Sequence, residues 1–383
     1  MTDVLTRRQL LERAAATGAV FTVPGLLAAC GGSSSKSAGS SRKLAKALRF
    51  SNWPLYIDIN EKTKRHPSLD QFQKKVGVHV QYIEDINDNA TYFGKIQGPL
   101  SRGQSIDRDI IVMTDNSRFP SLLIKKGWVE KLDKGAIPNI KNLEPTLRHP
   151  NWDPNRDHSL PWQSGLTGIA YNDKLTDPVL TVPDLLENPK LKGKVTLLQG
   201  MGDTMPLVMF ANGDDPEKVT DASWDRAMKV IKKAVNSGQI RQFTGNDYSG
   251  PLAKGDLKAA FAWSGDVVQL QADNKHLHWN LPKDGGGIWT DNMLIPKGGN
   301  VYTASVYMNY AYDPHVAALI EDYVNYICPV KGAKQELEKI DPGVANNTLI
   351  FPTTAMLDNA KNIDSAALNN EKYITEWQNL ISG

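Results

Sequence analysis

The stretch GGGIWTDNMLIP, residues 285–296, has the pattern of a strand that carries a tryptophan and an aspartate two residues apart. Three glycines lead into an apolar run that is interrupted by polar residues and closed by Pro296. Side chains alternate between the two faces of a strand, so Trp289 and Asp291 are predicted to share one face. An aromatic ring and a carboxylate on one face form half of a site for a cation. The alternative is a buried tryptophan beside an exposed, helix-capping aspartate.

Strand and helix patterns alternate on both sides of this stretch. In the first part of the chain, alternating apolar runs are separated by helical patterns, and the centre of the chain repeats the alternation. This order favours an α/β fold in which mainly parallel sheets are flanked by helices. Two such units joined by strand-like crossovers leave a cleft, and ligands of these folds gather at the carboxyl ends of the strands.

The amino-terminal segment has the features of an export signal. Arg7 and Arg8 form a twin-arginine pair, and the apolar stretch that follows is short for a spanning helix. The motif LAAC ends at Cys30 and resembles the lipobox of bacterial lipoproteins, whose cysteine is lipidated. The alternative is an uncleaved anchor with an incidental cysteine, but the Gly/Ser-rich run that follows favours lipidation. We predict a signal peptide over residues 1–29 and a flexible tether over residues 30–46.

Charge and cysteine content exclude several classes of function. Residues 1–46 hold seven basic and two acidic residues, whereas the remaining 337 residues hold 37 basic and 40 acidic ones. A body that is not basic argues against nucleic acid as a partner. If Cys30 is lipidated, Cys328 has no disulfide partner. The chain lacks zinc-ligand spacing, a nucleophile elbow and nucleotide-binding motifs, so we expect no cofactor, no metal and no enzymatic activity.

Aromatic and acidic residues recur where the predicted strands end, and basic residues are scarce there. A cleft with such a lining attracts a cation with an apolar body, because rings pack on methylene groups and carboxylates pair with charged ends. Each residue has a structural alternative, such as a core position for a tryptophan or a helix cap for an aspartate. The residues found at these strand ends are Trp53, Tyr56, Thr114, Asp115, Asn116, Asp203, Trp263, Asp266, Trp289 and Asp291.

The order of these motifs resembles the spermidine/putrescine-binding proteins that serve ABC importers. The resemblance extends from about Leu48 to Pro352. It is carried by the segments FSNWPLYI, DHSLPWQSGLTGIAYN, LKGKVTLL, FAWSGD, GGGIWTDNMLIP, DPHVAALIEDYVNYICP and DPGVANNTLIFP. The resemblance implies a two-lobed, periplasmic-binding-protein-like (type II) fold with crossover strands, a hinge and an interlobe cleft.

The resemblance also assigns roles to residues. It implies that Trp289 stacks on the alkyl chain of a polyamine and that Asp291 takes an amine. Two departures stand out, because the second aspartate of the family's second lobe falls on Gly200 and an aromatic residue of the crossover falls on Ser164. Further ligand contacts implied by the family pattern fall on Trp53, Tyr56, Thr114, Asn116, Asp203, Trp263 and Tyr326, and Asp115 and Asp266 are candidates to compensate for the missing carboxylate.

We therefore interpret the chain as a lipid-anchored, monomeric solute-binding protein on the extracytoplasmic face of the membrane. It is expected to capture polyamines and deliver them to an ABC permease. Its first lobe is predicted to comprise residues 47–164 and 290–330, and its second lobe residues 165–289 and 331–383. The alternatives are the same scaffold with another small cation or organic solute, and an exported surface enzyme. Which polyamine binds, and with what affinity, is left open.

Overall fold

The computed structural model describes residues 42–382 of the 383-residue chain. The predicted signal peptide and Cys30 lie outside the described residues, and so does the predicted tether up to residue 41. Within the described part of the chain, no helix combines the length and apolar character needed to cross a membrane.

The described residues form ten strands that belong to one sheet. The strands are β1 (Ala47–Asn52), β2 (His79–Glu84), β3 (Ile110–Thr114), β4 (Ser159–Asn172), β5 (Val195–Leu198), β6 (Ile240–Thr244), β7 (Ala259–Trp263), β8 (Leu277–Asn280), β9 (Gly286–Leu294) and β10 (Ala360–Lys361). Their main order is β2-β1-β3-β9-β4-β7-β5-β6, while β8 pairs with β4 and β10 pairs with β9.

This sheet is parallel at both ends and antiparallel in its centre. β1 pairs in parallel with β2 and β3, and β5 pairs in parallel with β6 and β7. The long strands β4 and β9 run antiparallel to each other and to their outer neighbours β7 and β3. The sequence predicted two parallel units joined by strand-like crossovers, and β4 and β9 are these crossovers. Because the crossovers pair with each other, the two parallel parts form one continuous sheet.

The helices connect and cover the strands. They are α1 (Pro67–Val76), α2 (Asn89–Ser101), α3 (Phe119–Lys125), α4 (Val182–Glu187), α5 (Met201–Ala211), α6 (Asp221–Asn236), α7 (Ser249–Lys254), α8 (Ser264–Gln271), α9 (Val301–Ala311), α10 (Pro314–Val324), α11 (Ala333–Ile340), α12 (Pro342–Ala345), α13 (Thr354–Asp358), α14 (Ser365–Leu368) and α15 (Glu371–Ser382). Short 3₁₀ turns link β3 to β4 and flank β5 and β6.

Helix α6 shows how the sequence encodes these elements. Thr220 caps its first turn in a reciprocal arrangement with Ser223, which satisfies backbone N–H groups that would otherwise lack acceptors. Trp224, Ala227 and Ile231 recur at helical spacing and are fully buried on one face. The segment ASWDRAMKVIKKAVNSG has the amphipathic pattern that predicts this helix. The segments SLDQFQKKVG, NDNATYFGKIQ, SLLIKKGW and PHVAALIEDYVNYI predict α1, α2, α3 and α10 in the same way, and all five helices are present.

Elements without a clear amphipathic pattern were not predicted. Helix α5 contains Pro206 and is buried on nearly all sides, so its sequence shows no polar face. Strand β6 spans only five positions, of which only the first and the last are buried, and β8 spans only four. Such short segments carry too few repeats for periodicity to identify them.

Most of the buried apolar side chains fall into two large clusters. One contains Phe50 of β1, whose ring meets Trp162 of β4 edge to face at a centroid distance of 5.4 Å. The other surrounds β5 and β7 and includes Phe261. Ala333 belongs to the cluster of Phe50, so helix α11 packs on the same side of the molecule as α10. We propose that the boundary predicted at residue 331 lies later in the chain.

Candidate functional site

Asp291 lies at the centre of a buried polar cluster. Its side chain is in β9, and the residue is 4% exposed. The Tyr56 hydroxyl donates to Asp291 Oδ2 at 2.7 Å, and the Thr114 hydroxyl donates to Asp291 Oδ1 at 2.6 Å. Hydrogen bonds to a carboxylate are stronger than those between neutral groups, and these two keep the buried acid from being left without donors.

Strand register brings these side chains together. Thr114 of β3 and Gln163 of β4 lie opposite Asp291, one on each side of β9. Directly opposed residues of an antiparallel pair point to the same face, about 5 Å apart. A register shift in β4 just before Gln163 sets this alignment. The three side chains therefore form a polar row across the centre of the sheet.

Aromatic rings form a wall beside this row. Trp289 shares the face of Asp291, as strand alternation predicts. Its ring centroid lies 5.6 Å from that of Tyr326 and 6.3 Å from that of Trp263, and Tyr326 meets Tyr56 at 5.3 Å. A Cβ atom at Gly165, opposite Trp289 on β4, would overlap the indole ring, so glycine is required for this close approach. The wall offers π faces and edges to an apolar or cationic guest.

Asp203 forms a second buried acidic centre, on the first turn of α5. Its Oδ1 atom accepts hydrogen bonds from Asn116 Nδ2 at 2.9 Å, from Trp263 Nε1 at 2.9 Å and from the Thr167 hydroxyl at 3.2 Å. The Trp289 indole in turn donates to Thr167 Oγ1 at 3.1 Å. Asp203 thus links residues that follow β3 to residues of β4 and β7.

Glycine at position 200 is what allows this placement of Asp203. Gly200 has an ordinary backbone conformation, but a Cβ atom there would overlap Asp203 Oδ2. A Cβ atom at Gly202 would likewise overlap the backbone carbonyl of Asn116. A side chain at residue 200 would need the volume that the Asp203 carboxylate fills. The absence of a carboxylate at residue 200 and the placement of the one at residue 203 therefore depend on each other.

Asp266 is a third acid near the aromatic wall and is half-buried. Its two carboxylate oxygens accept from the hydroxyls of Tyr326 at 2.7 Å and Tyr248 at 2.8 Å. Asn246 Nδ2 donates to the same oxygen as Tyr248, at 3.2 Å. The Tyr248 hydroxyl also accepts from the backbone N–H of Trp263 at 3.1 Å. Asp266 therefore holds Tyr326, a ring of the wall, in place.

Burial raises the pKa of all three acids. Loss of solvation is the largest cause that raises the pKa of Asp291 to about 7. The nearby charges of Asp115 and Asp203 act in the same direction, and the Thr114 and Tyr56 hydroxyls act against it. Burial likewise raises the pKa of Asp203 to about 6 and raises that of Asp266. A cationic guest favours the ionised form of these acids, because it supplies the counter-charge that replaces the lost solvation.

Two of the predicted residues lie apart from this cluster. The Asp115 carboxylate accepts from the backbone N–H of Thr290 at 2.9 Å and from Asn362 Nδ2 at 3.0 Å, and it lines a small cavity with Trp152. Trp53 is half-buried against the apolar clusters of the first part of the chain, and its buried Nε1 has no hydrogen-bond partner among the described residues.

The structure adds residues that the sequence did not single out. Thr167 connects Trp289 to Asp203, and Tyr248 connects Trp263 to Asp266. Thr167 could have been found, because it follows Gly165 and Gln163 at every second position of a predicted strand. Tyr248 lies in a 3₁₀ turn, and no pattern in the sequence marks it. Ser164, on the opposite face, exchanges a 2.8 Å hydrogen bond with Thr290.

Acidic and aromatic side chains dominate the cluster. In residues 42–382, no group of three or more His, Cys, Asp or Glu side chains is arranged to hold a metal ion. Carboxylates backed by hydroxyl donors and flanked by rings can bind an amine and cover its methylene groups.

Comparison with known proteins places the chain among binding proteins. The spermidine/putrescine-binding periplasmic protein of Escherichia coli K12 is 24% identical over 344 residues, covering 88% of this chain and 92% of its own. The structure of the spermidine/putrescine ABC transporter substrate-binding protein of Streptococcus pneumoniae matches with a TM-score of 0.72 and 21% identity, covering 88% of this chain and 98% of its own.

A periplasmic binding protein of A. tumefaciens in complex with agropinic acid has the same fold, with a TM-score of 0.69 and 18% identity, and the match covers 89% of this chain and all of the other. These structural matches confirm the predicted α/β fold of the periplasmic-binding-protein type. Residues 68–352 match the family described as bacterial extracellular solute-binding protein, a family of transport proteins that act outside the cytoplasm. The match spans well over half of the chain, so this protein belongs to the bacterial extracellular solute-binding protein family.

Proposed function

We propose that this solute-binding protein captures polyamines of the spermidine/putrescine class and delivers them to an ABC importer. The observation that carries the proposal is the Asp291 carboxylate, buried beside the rings of Trp289, Tyr326 and Tyr56. An elongated cation needs this combination, because each desolvated ammonium must be replaced by carboxylates and rings. The names of the similar proteins from E. coli and S. pneumoniae support the same ligand class.

In this proposal the residues act in groups. Asp291 binds one ammonium group, with Thr114 and Tyr56 holding its oxygens. Trp289, Tyr326 and Trp263 cover the methylene chain. Asp203 and Asp266 add negative charge beside the aromatic wall. Asn116 positions the carboxylate of Asp203. Trp53 and Asp115 contribute from outside the cluster.

Lobe movement accompanies capture in this proposal. The two crossovers meet where Gly165 lies opposite Trp289, next to Gln163 and Asp291. Rotation about this point would separate Asn116 from Asp203 and admit the ligand, and closure would bury it. The division into lobes at residues 164/165 and 289/290 is part of the proposal.

Membrane attachment through Cys30 is also proposed. The cysteine follows an apolar segment and precedes a Gly/Ser-rich run, the arrangement expected for a lipidated residue with a flexible tether. Exchange of Cys30 for serine should abolish incorporation of labelled fatty acid and release the protein from membrane fractions. Retention of the label in that variant would contradict the assignment.

A second class of ligand should be tested in parallel. Asp203 fills the space that a side chain at residue 200 would need, so the site lacks the second carboxylate of the family pattern. A site with one carboxylate fewer can accept a different organic solute, and the structurally similar protein of A. tumefaciens is in complex with agropinic acid, not with a polyamine. Both candidates keep the solute-binding role and differ only in the ligand.

Titration calorimetry and thermal shift with a panel of solutes would distinguish these candidates. We expect spermidine or putrescine to raise the melting temperature, since a ligand that binds only the folded state stabilises it by mass action. Mass spectrometry of the ligand that co-purifies with the protein would identify the native solute. Stabilisation by acidic or neutral solutes and not by amines would overturn the polyamine proposal.

A further inference from the structure

Helix α10 carries a fully buried carboxylate that none of the roles above uses. Glu321 has no exposed surface, and no donor among the described residues lies within hydrogen-bonding distance of its carboxylate oxygens. The Gln163 side chain, the Cys328 thiol and the Tyr326 backbone N–H approach it more loosely and lower its pKa against the larger effect of burial. An ionised carboxylate in this situation is strongly unfavourable unless a cation or donors compensate it. Nearly all buried polar groups in proteins are paired, so this one requires an explanation.

Gln163 presents a third acceptor beside Glu321. Its Oε1 atom is buried and also has no hydrogen-bond partner, and its side chain is close enough to Glu321 to influence the pKa of that acid. Gln163 lies opposite Asp291 on the neighbouring strand, on the same face of the sheet. Three acceptor oxygens with no donor at hydrogen-bonding distance thus adjoin the polar row that contains Asp291.

Tyr56 connects this pair to the site already described. Its hydroxyl donates to Asp291, while the negative charges of both Asp291 and Glu321 contribute to raising the pKa of the phenol. The other titratable group facing Glu321 is the Cys328 thiol, whose pKa is raised mainly by burial. Both groups are neutral at pH 7, so no side chain among them supplies a positive charge to Glu321.

We propose that Glu321 and Gln163 form a subsite for a second ammonium group of the ligand, next to the one bound by Asp291. A primary ammonium carries three N–H donors and no acceptor, which matches three acceptor oxygens that have no donor at hydrogen-bonding distance. This proposal rests on the proposed polyamine function and deepens it, because it makes the site selective for molecules with at least two amines.

Proton exchange follows from this arrangement. Burial raises the pKa of Glu321 well above its ordinary value and so favours the neutral acid when no ligand is bound. When the ammonium enters, the carboxyl proton leaves to the buffer, and the carboxylate and the ammonium form an ion pair. Ligand binding therefore releases protons from the protonated fraction of Glu321, in addition to those released by Asp291.

A comparison of putrescine with butylamine tests the subsite, because the two ligands share a four-carbon chain and differ by one amine. In the wild-type protein we expect putrescine to bind at least 100-fold more tightly. In Glu321→Gln we expect putrescine to lose at least tenfold in affinity and butylamine to change little. The matched control is Glu338→Gln, which alters an exposed glutamate of α11.

Titration calorimetry in buffers of different ionisation enthalpy counts the protons released. Glu321→Gln should release fewer protons on putrescine binding than the wild type, a change that a purely structural role of Glu321 would not produce. Gln163→Met removes the third acceptor and should also lower the preference for putrescine. This second variant keeps the test decisive if Glu321→Gln folds poorly.

Two negative results would have different meanings. If the wild-type protein binds no polyamine, the proposed function itself fails. If the wild type binds putrescine and Asp291→Asn abolishes binding, but Glu321→Gln keeps the wild-type preference and proton release, only the second subsite is wrong.

Discussion

Asp291 and Asp203 are both buried acids of the same cluster, but their surroundings differ. Asp291 accepts one hydrogen bond on each oxygen, and both donors are hydroxyl groups. Asp203 accepts three hydrogen bonds on a single oxygen, including one from an amide and one from an indole, while its other oxygen fills the space above Gly200. Hydroxyl donors can rotate to a new partner, whereas amide and indole donors have directions fixed by their planes.

This difference in hydrogen-bond donors assigns different roles to Asp291 and Asp203. Asp291 can exchange part of its hydrogen bonding for an ammonium group without disturbing the backbone. Asp203 is held more rigidly, and it ties the segment after β3 to α5 and β7. We infer that Asp291 binds the ligand directly. Asp203 mainly holds the segment after β3 against α5 and β7, and it adds negative charge to the site.

The largest effect is expected from Asp291→Asn. It removes the charge that pairs with the ammonium while preserving the shape of the side chain, so putrescine affinity should fall by about 3 kcal/mol. Isothermal titration calorimetry measures this directly, with the exposed Asp256→Asn as the matched control. An affinity within threefold of the wild type would remove Asp291 from the ligand site.

The pH dependence of the free energy of unfolding should reveal the titration of Asp291. The folded-state pKa of Asp291, about 7, lies above its ordinary value of 3.8. The folded protein therefore binds the proton more tightly than the unfolded chain, and this stabilisation is full below about pH 4 and lost as pH rises through about 7. Without ligand, the free energy of unfolding should fall between pH 5 and 7.5, on the order of 2 kcal/mol from this group.

Denaturant unfolding at several pH values measures this slope. Asp291→Asn should flatten it, and saturating putrescine should oppose it, because the ligand pairs with the ionised form. A ligand-free protein that gains stability between pH 5 and 7.5 would contradict the assignment of a raised pKa to Asp291.

Gly200→Ala tests the second acid. The backbone conformation at position 200 accepts alanine, but the added methyl group would displace Asp203 and weaken its three hydrogen bonds. We expect a loss of about 1 to 2 kcal/mol in ligand affinity and in stability. Gly94→Ala is the control, since a Cβ atom at that exposed helical position meets no other atom within 4 Å. Equal behaviour of the two variants would show that the contact at position 200 is unimportant.

The smallest effect is expected from Trp263→Phe. This change keeps an aromatic ring in the wall but removes the indole N–H that donates to Asp203, and putrescine affinity should fall by about 1 kcal/mol. Trp279→Phe removes an indole hydrogen bond to the backbone of Ala262. That control should lower stability without changing affinity, and a larger affinity loss in the control than in Trp263→Phe would refute the comparison.

Local patterns in the sequence were sufficient for much of the fold and for part of the site. Strand alternation placed Trp289 and Asp291 on one face, and amphipathic spacing identified α6 and α10. The pattern could not show that Asp115 bonds to the backbone of Thr290, because a side chain that follows a strand can turn to either side of the sheet. It also gave no reason to select Tyr248, which lies in a turn and reaches Asp266 only through the folded chain.

The sequence by itself determined the α/β alternation, the crossover strands and the acidic, aromatic character of the strand ends, since these depend on periodicity and composition within short segments. The tertiary structure alone decided which residues donate to each acid, that the Asp203 carboxylate fills the space beside Gly200, and that Glu321 is buried with no donor at hydrogen-bonding distance. Those properties depend on distances between residues far apart in the chain, which no local pattern encodes.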